Sequence, residues 1–132
     1  MPEYVVERVT RALNETGKAL KGSKVVVLGV AYKRDISDLR ESPALDVITL
    51  FKNQGAKVVY SDPYVPAVHF DSGDMKSVKL TAAVLKSADI VVVLTDHTNF
   101  NYQWIVDNAP LVFDTRNACK RIRNGKKKII RL

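Results

Sequence analysis

Short apolar runs rich in valine recur along the chain and alternate with segments whose apolar residues have helical spacing. The two most apolar runs are residues 25–28 and 90–94, and within each run the apolar positions are consecutive. Consecutive apolar residues over this length are typical of strands that are buried on both faces of a parallel sheet. Because helical segments separate the runs, the sequence predicts an α/β fold in which crossover helices join parallel strands.

The order of these segments predicts a Rossmann-like, doubly wound and mostly parallel sheet. Predicted strands occupy residues 24–29, 57–60, 77–80, 89–94, 111–113 and 127–132, and predicted helices occupy residues 43–54, 81–87 and 101–108. The strand at 89–94 is the most apolar and is expected at the centre of the sheet. The lysines of residues 127–132 suit an exposed edge strand. Residues 64–76 are predicted to be irregular.

An amphipathic helix precedes the first predicted strand. Within residues 3–20, Val5, Val9 and Leu13 recur at helical spacing, and Gly17 predicts either the end of this helix or a kink in it. A domain of this class usually begins on its first strand. One interpretation is therefore that the helix is a linker from a domain further upstream.

Length and charge limit the classes of function. The 132 residues predict one domain, and the formal net charge of +7 favours an anionic partner: a nucleic acid, a membrane surface or a phosphorylated metabolite. No run approaches the roughly 18 apolar residues of a membrane span, and the N-terminus lacks a signal-peptide pattern. The single cysteine, Cys119, excludes an internal disulfide and fits a reducing cytoplasm.

The polar connection at residues 29–43 is about twice as long as the usual link between a strand and a helix. It follows the carboxyl end of the first strand, where open α/β sheets bind ligands. Lys33 and Arg40 lie in this connection and Arg116 follows a later strand, so the three cations are expected to converge on one edge of the sheet. Such cations suit a phosphate-containing ligand.

An equally good interpretation is that these cations brace the loop through ion pairs. The candidate acidic partners are Asp35, Asp38 and Glu41. Autonomous binding of NAD is not expected, because a dinucleotide cradle needs G-x-G-x-x-G after the first strand and bulky residues follow Gly29 here.

The sequence lacks clear catalytic and metal-binding patterns. His97 beside Asp96 could act as a general base, but a structural imidazole bonded to loop backbone is the favoured interpretation. Cys119 has no neighbouring histidine and is expected to be an inert thiol. The two histidines and the cysteine lack the spacing of metal ligands, so no metal site is expected.

Five short motifs occur in an order and at separations that identify a family. They are Gly-Val-Ala-Tyr-Lys at 29–33, Asp-Leu-Arg-Glu-Ser-Pro-Ala at 38–44, Ser-Asp-Pro-Tyr-Val-Pro at 61–66, Thr-Asp-His at 95–97 and Asp-Thr-Arg-Asn at 114–117. Together they closely resemble the C-terminal UDP-binding domain of the UDP-glucose/GDP-mannose dehydrogenase family. Residues 1–21 resemble the end of the linker helix from the family's central domain, and residues 22–132 resemble the UDP-sugar-binding domain itself.

The resemblance implies an NAD-dependent enzyme that oxidises the C6 hydroxyl of a nucleotide sugar to a carboxylate in two steps. It implies that NAD is bound mainly by an N-terminal domain and that the catalytic cysteine and lysine lie in a central domain. No catalytic residue is therefore expected in this chain, Cys119 included. By resemblance, Tyr32, Lys33 and Arg116 bind the UDP-sugar, and Arg40 approaches NAD when the domains close.

The resemblance also implies a substrate and partners. UDP-N-acetylglucosamine is the favoured substrate, UDP-N-acetylmannosamine and UDP-glucose are alternatives, and the chain alone is expected to be inactive. The expected partners are the N-terminal and central domains of the same enzyme, a cytoplasmic homodimer of polysaccharide biosynthesis. Neither a nucleic acid nor a membrane is expected to bind, although a nucleic-acid-binding module built on the basic residues 120–128 is a rival hypothesis.

Overall fold

The computed structural model describes residues 2–40 and 42–132. In chain order the elements are α1 (Pro2–Glu15), β1 (Lys24–Leu28), α2 (Ala44–Asn53), β2 (Lys57–Ser61), β3 (Ala67–Phe70), β4 (Gly73–Lys76), α3 (Ala82–Ser87), β5 (Ile90–Val93), α4 (Tyr102–Asn108), β6 (Val112–Asp114), a 3-10 turn (Lys126–Lys128) and β7 (Ile129–Arg131). Five strands pair in the order β2-β1-β5-β6-β7, and every neighbouring pair is parallel. The predicted Rossmann-like sheet is confirmed, with β5 at its centre and β7 at an edge.

Helices cover both faces of this sheet. Alternate residues of β1 and β5 contribute to two apolar clusters, one on each face. The cluster that contains Val25 and Val92 also contains the buried residues of α1 and α2, whereas Val26 and Val91 share their cluster with residues of α3 and α4. Because both faces are buried, both positions of the strand repeat are apolar, which is why the strands are continuous valine runs in the sequence.

The N-terminal helix belongs to the same core as the sheet. Its buried residues are Val5, Val6, Val9, Ala12 and Leu13. The helix ends at Glu15, and Gly17 follows with a φ of +81°, so this glycine marks the end of the helix and not a kink. Leu20 lies beyond the helix and is nevertheless buried in the same cluster. The division at residues 21 and 22 into linker and domain stays a prediction.

The segment between β2 and α3 contains a hairpin that the sequence analysis missed. Residues 64–76 are predicted to be irregular, but β3 and β4 pair there as antiparallel strands. Within β3 the buried Val68 and Phe70 alternate with the exposed Ala67 and His69. This pattern has the period of two that marks a strand, but four residues are too few for it to stand out.

Residues 77–80 are predicted as a strand, and this prediction is wrong. The Val78 amide donates to the Tyr60 carbonyl at 2.9 Å, and the Ser77 amide donates to the Pro66 carbonyl at 2.9 Å. These bonds go to two different segments, so they do not form a ladder. The residues are irregular and lead into α3.

Gly29 permits a close approach between the ends of the two central strands. Its φ is +83°, and a Cβ atom at this position would lie 2.4 Å from Cβ and 2.6 Å from the carbonyl oxygen of Thr95. Thr95 itself follows β5, and its hydroxyl donates to the Ala31 carbonyl at 2.6 Å. The loop after β1 therefore starts in direct contact with the loop after β5.

No helix in the described part of the chain is long and apolar enough to cross a membrane.

Candidate functional site

The loops that follow β1, β5 and β6 form one polar surface at the carboxyl edge of the sheet. Arg116 lies after β6, and its Nη2 donates to the carbonyl of Tyr32 in the β1 loop at 3.2 Å. Arg34 lies in the same β1 loop, and its Nη2 donates to Asp96 after β5 at 2.7 Å. In a parallel sheet all strand ends of one kind meet at one edge, so residues far apart in the sequence become neighbours there.

Three of the four predicted site residues lie together on this surface. The Lys33 ammonium lies 5.6 Å from the centre of the Tyr32 ring, and Arg116 contacts the Tyr32 carbonyl. Tyr32 is 38% exposed, and the Arg116 side chain is 33% exposed. The ring, the ammonium and the guanidinium are therefore within reach of a ligand.

Arg40, the fourth predicted residue, extends further into solvent, with 89% of its side chain exposed. Its Nε and Nη2 donate to the Asp38 carboxylate at 3.1 and 2.9 Å. Hydrogen bonds from Arg40 lower the pKa of Asp38 to about 2. The Tyr32 amide donates to the Asp38 carbonyl at 2.8 Å, so Arg40 and Tyr32 are both fixed to the same residue.

The interpretation that the loop cations form ion pairs within the loop is correct in part. Arg40 braces the loop through Asp38, as the ion-pair interpretation predicts. Asp35 instead accepts hydrogen bonds from the amide and hydroxyl of Thr98, at 2.8 and 2.5 Å. Among residues 2–40 and 42–132, no ion pair involves Lys33; Glu41, the third predicted partner, lies outside the described residues.

Arg34 and Asp96 join two of these loops, a role that was not predicted from the sequence. The Asp96 carboxylate lies 2.7 Å from Arg34 and 3.9 Å from Arg116, and 12% of its side chain is exposed. The hydrogen bond to Asp96 raises the pKa of Arg34. Both arginines, together with Lys120 and Arg121 from the basic tail, line a cavity of about 360 Å³. The beginning of that tail therefore adds positive charge to the same edge of the sheet.

His97 is a buried structural residue, as the sequence analysis favours. Its Nε2 lies 2.9 Å from the Asp62 carboxylate, and its Nδ1 accepts a hydrogen bond from the Asp35 amide at 2.9 Å. The neighbouring Asp96 is not its partner, since Asp96 binds Arg34. Asp62 also accepts from the Val30 amide at 2.8 Å and is buried. Its role is therefore to connect loops, and its carboxylate is not accessible to a ligand.

A buried carboxylate shapes the loop that carries Arg116. Asp114 accepts hydrogen bonds from the backbone amides of Arg116, Ala118 and Cys119 at 3.0, 3.0 and 2.8 Å. The Cys119 thiol is fully buried, and this burial, with the nearby Asp114 charge, raises its pKa to about 12. A thiol in this state is a poor nucleophile, in agreement with the prediction that Cys119 is inert.

The loop after β1 does not fit the pyrophosphate of a dinucleotide. Three backbone amides of this loop are used internally: Val30 donates to Asp62, Tyr32 to the Asp38 carbonyl, and Asp35 to His97. The only nearby glycine, Gly29, is packed against Thr95. Within the described ranges there is also no group of three or more His, Cys, Asp or Glu side chains that could hold a metal ion.

Comparison with known proteins identifies the family. A family model described as "UDP-glucose/GDP-mannose dehydrogenase family, UDP binding domain" matches residues 26–121. The chain belongs to this family. The matched range includes Tyr32, Lys33, Arg40 and Arg116.

Several known dehydrogenases share both sequence and fold with this UDP binding domain. A UDP-N-acetyl-D-mannosamine dehydrogenase of Campylobacter jejuni is 34% identical over 102 residues, which is 75% of this chain and 24% of that protein. A UDP-D-ManNAc dehydrogenase from Pyrococcus horikoshii superposes with a TM-score of 0.76 at 27% identity, over 98% of this chain and 29% of that one. An NDP-N-acetyl-D-galactosaminuronic acid dehydrogenase from Methanosarcina mazei Go1 superposes with a TM-score of 0.78 at 28% identity, over 99% of this chain and 28% of that one. The chain thus spans about a quarter of these relatives.

Proposed function

We propose that this domain binds the UDP-sugar substrate of a nucleotide-sugar 6-dehydrogenase through Tyr32, Lys33 and Arg116. The observation that carries the proposal is the meeting of these three residues at the carboxyl edge of the sheet, through the Arg116 hydrogen bond to the Tyr32 carbonyl and the Lys33 contact with the Tyr32 ring. A diphosphate has negative charge at both phosphates, and an exposed ammonium and guanidinium side by side match it. The family's UDP-binding assignment supports the same ligand.

The same proposal places NAD near Arg40 in the loop after β1. The sequence after β1 lacks the G-x-G-x-x-G pattern of a dinucleotide site. On this proposal NAD is held mainly by a separate N-terminal domain, and a central domain supplies the catalytic groups. Arg40 is 89% exposed at its side chain, which leaves it accessible to a cofactor bound by another domain. On this proposal the isolated chain has no dehydrogenase activity, and the complete enzyme is a cytoplasmic homodimer.

The proposed sugar is an N-acetylated hexosamine. The motif resemblance favours UDP-N-acetylglucosamine. The names of the relatives instead support UDP-N-acetylmannosamine first, since proteins described as UDP-N-acetyl-D-mannosamine dehydrogenases match in both sequence and structure. Initial rates of NADH formation by the complete enzyme with the two UDP-N-acetylhexosamines and with UDP-glucose test this choice. A preference for UDP-glucose would contradict it.

The binding site is tested by Lys33→Ala and Arg116→Ala in the complete enzyme, with the affinity for UDP measured by calorimetry. Each variant loses one charged hydrogen-bond donor, so we expect the Kd to rise about tenfold or more. Lys57→Ala is the matched control. It removes the same charge from an exposed residue at the start of β2, where the amino ends of the strands lie, away from the carboxyl edge. Unchanged UDP affinity in both site variants would refute the assignment.

A further inference from the structure

Four polar groups from the loops after β1, β2 and β5 form one continuous hydrogen-bond chain below the predicted binding loop. The chain runs from the Val30 amide to Asp62, from Asp62 to Nε2 of His97, and from Nδ1 of His97 to the Asp35 amide. The distances are 2.8, 2.9 and 2.9 Å. Since His97 and the Asp62 side chain are fully buried, water does not compete for these bonds.

The hydrogen bonds define the protonation state of the imidazole. A backbone amide can only donate, so Nδ1 must accept from Asp35 and cannot carry a proton. The proton then resides on Nε2 and is donated to the Asp62 carboxylate. The ring is further enclosed by Tyr64 and Phe100, whose ring centres lie 4.8 and 5.8 Å from it. His97 therefore has one orientation and one neutral tautomer in this structure.

The residue that His97 holds has an unusual backbone. Asp35 has a φ of +61°, in the left-handed region that residues with a side chain rarely adopt. A conformation of this kind persists only where surrounding contacts impose it. His97 supplies one such contact through the Asp35 amide, and Thr98 supplies the others through the Asp35 carboxylate.

We propose that His97 is a positioning residue for nucleotide-sugar binding: its Nδ1 fixes Asp35 and thereby the course of the loop from Tyr32 to Arg40. The turn at Asp35 lies between Lys33 and Asp38, and Asp38 in turn holds both the Tyr32 amide and Arg40. Release of Asp35 would free Lys33 on one side and Asp38 on the other. The role of His97 in loop geometry stands on these contacts, and its effect on affinity rests on the proposed function.

Two substitutions at His97 each keep one of the two hydrogen bonds of the ring and remove the other. In His97→Asn the side-chain oxygen is attached to Cγ, as Nδ1 is in histidine, so it can still accept from the Asp35 amide but cannot reach Asp62. In His97→Gln the amide nitrogen is one bond further out, so it can still donate to Asp62 but leaves Asp35 without its acceptor. Both variants remove the aromatic contacts, so they are matched for that loss.

The experiment compares these variants in the complete enzyme by hydrogen exchange of the peptide covering residues 32–40 and by UDP affinity. We expect His97→Gln to exchange about tenfold faster in this peptide and to bind UDP about tenfold more weakly. His97→Asn is expected to stay within about threefold of the wild type on both measurements. Exchange in peptides from β5 reports whether the sheet itself is intact. Equal effects of the two variants, or a larger effect of His97→Asn, would overturn the proposal.

Two further outcomes are informative. If the wild-type enzyme does not bind UDP, the proposed function fails, and the exchange of residues 32–40 alone then decides whether His97 positions the loop. If both variants fail to fold, ¹⁵N NMR of the histidine rings in the wild-type enzyme provides the test. A proton on Nε2 of His97 supports the arrangement, and a proton on Nδ1 refutes it.

Discussion

Replacement of Gly29 by alanine is expected to destabilise the domain through contact with Thr95. The new methyl would lie 2.4 Å from the Thr95 Cβ and 2.6 Å from its carbonyl oxygen, whereas carbon atoms in contact are normally about 3.5–4.0 Å apart. The ends of β1 and β5 must therefore separate by about 1 Å. Overpacking of this kind costs about 1–3 kcal/mol, and the φ of +83° adds about 1–2 kcal/mol for a residue with a Cβ.

Gly17→Ala is the matched control for this substitution. Gly17 has a φ of +81°, and nothing lies within 4 Å of the Cβ that alanine would add. It therefore incurs only the backbone cost of about 1–2 kcal/mol. Both substitutions reduce the freedom of the unfolded chain equally, so the difference between them isolates the contact with Thr95.

Urea denaturation followed by circular dichroism measures both free energies of unfolding. We expect Gly29→Ala to be less stable than Gly17→Ala by about 1–3 kcal/mol, with unchanged dependence on urea concentration. A difference below about 0.5 kcal/mol would show that the strand ends separate without loss, and the close approach would then be unimportant for stability.

Three other predictions concern charged and buried groups. NMR titration is expected to give Asp38 a pKa of about 2, below its ordinary 3.8, and Arg40→Ala should return it towards that value; the stabilisation from this pair is then fully present above about pH 4 and lost as the pH falls through about 2. The Cys119 thiol should not react with iodoacetamide at pH 8 until the domain unfolds, since its pKa is raised to about 12; rapid reaction of the folded domain would contradict this. Asp114→Ala leaves three amides without their acceptor and should lower the free energy of unfolding by about 3 kcal/mol in thermal denaturation, and a loss below about 1 kcal/mol would argue against its role.

The strands of the sheet could be predicted because burial on both faces produces a run of consecutive apolar residues in the sequence. Val25 and Val26 pack against different layers of helices, so each position of the strand is apolar and the run is unmistakable. The hairpin at β3 and β4 has four residues in each strand, and its only buried residues are Val68 and Phe70 of β3. Its alternation is short, and its pairing depends on contacts that the local sequence does not contain.

The candidate site was predictable in its cations and not in its internal hydrogen bonds. Lys33 and Arg116 lie in loops that follow apolar strands, and the parallel topology alone brings such loops to one edge. The partners of His97 are different: Asp62 lies 35 positions away and Asp35 lies 62 positions away. Nothing in the spacing distinguishes Asp62 from the other strand-end carboxylates, since its role depends on the depth at which it is buried.

The packing of α1 has a mechanical consequence for anything joined to it. Five of its side chains are embedded in the core that they share with α2 and the sheet. A segment that continues α1 upstream could therefore not swing about the junction near Gly17 as about a loose hinge, because α1 would first have to leave that core. Rotation imposed on the helix would be transmitted to the whole sheet, and with it to Tyr32, Lys33 and Arg116 at the sheet's carboxyl edge.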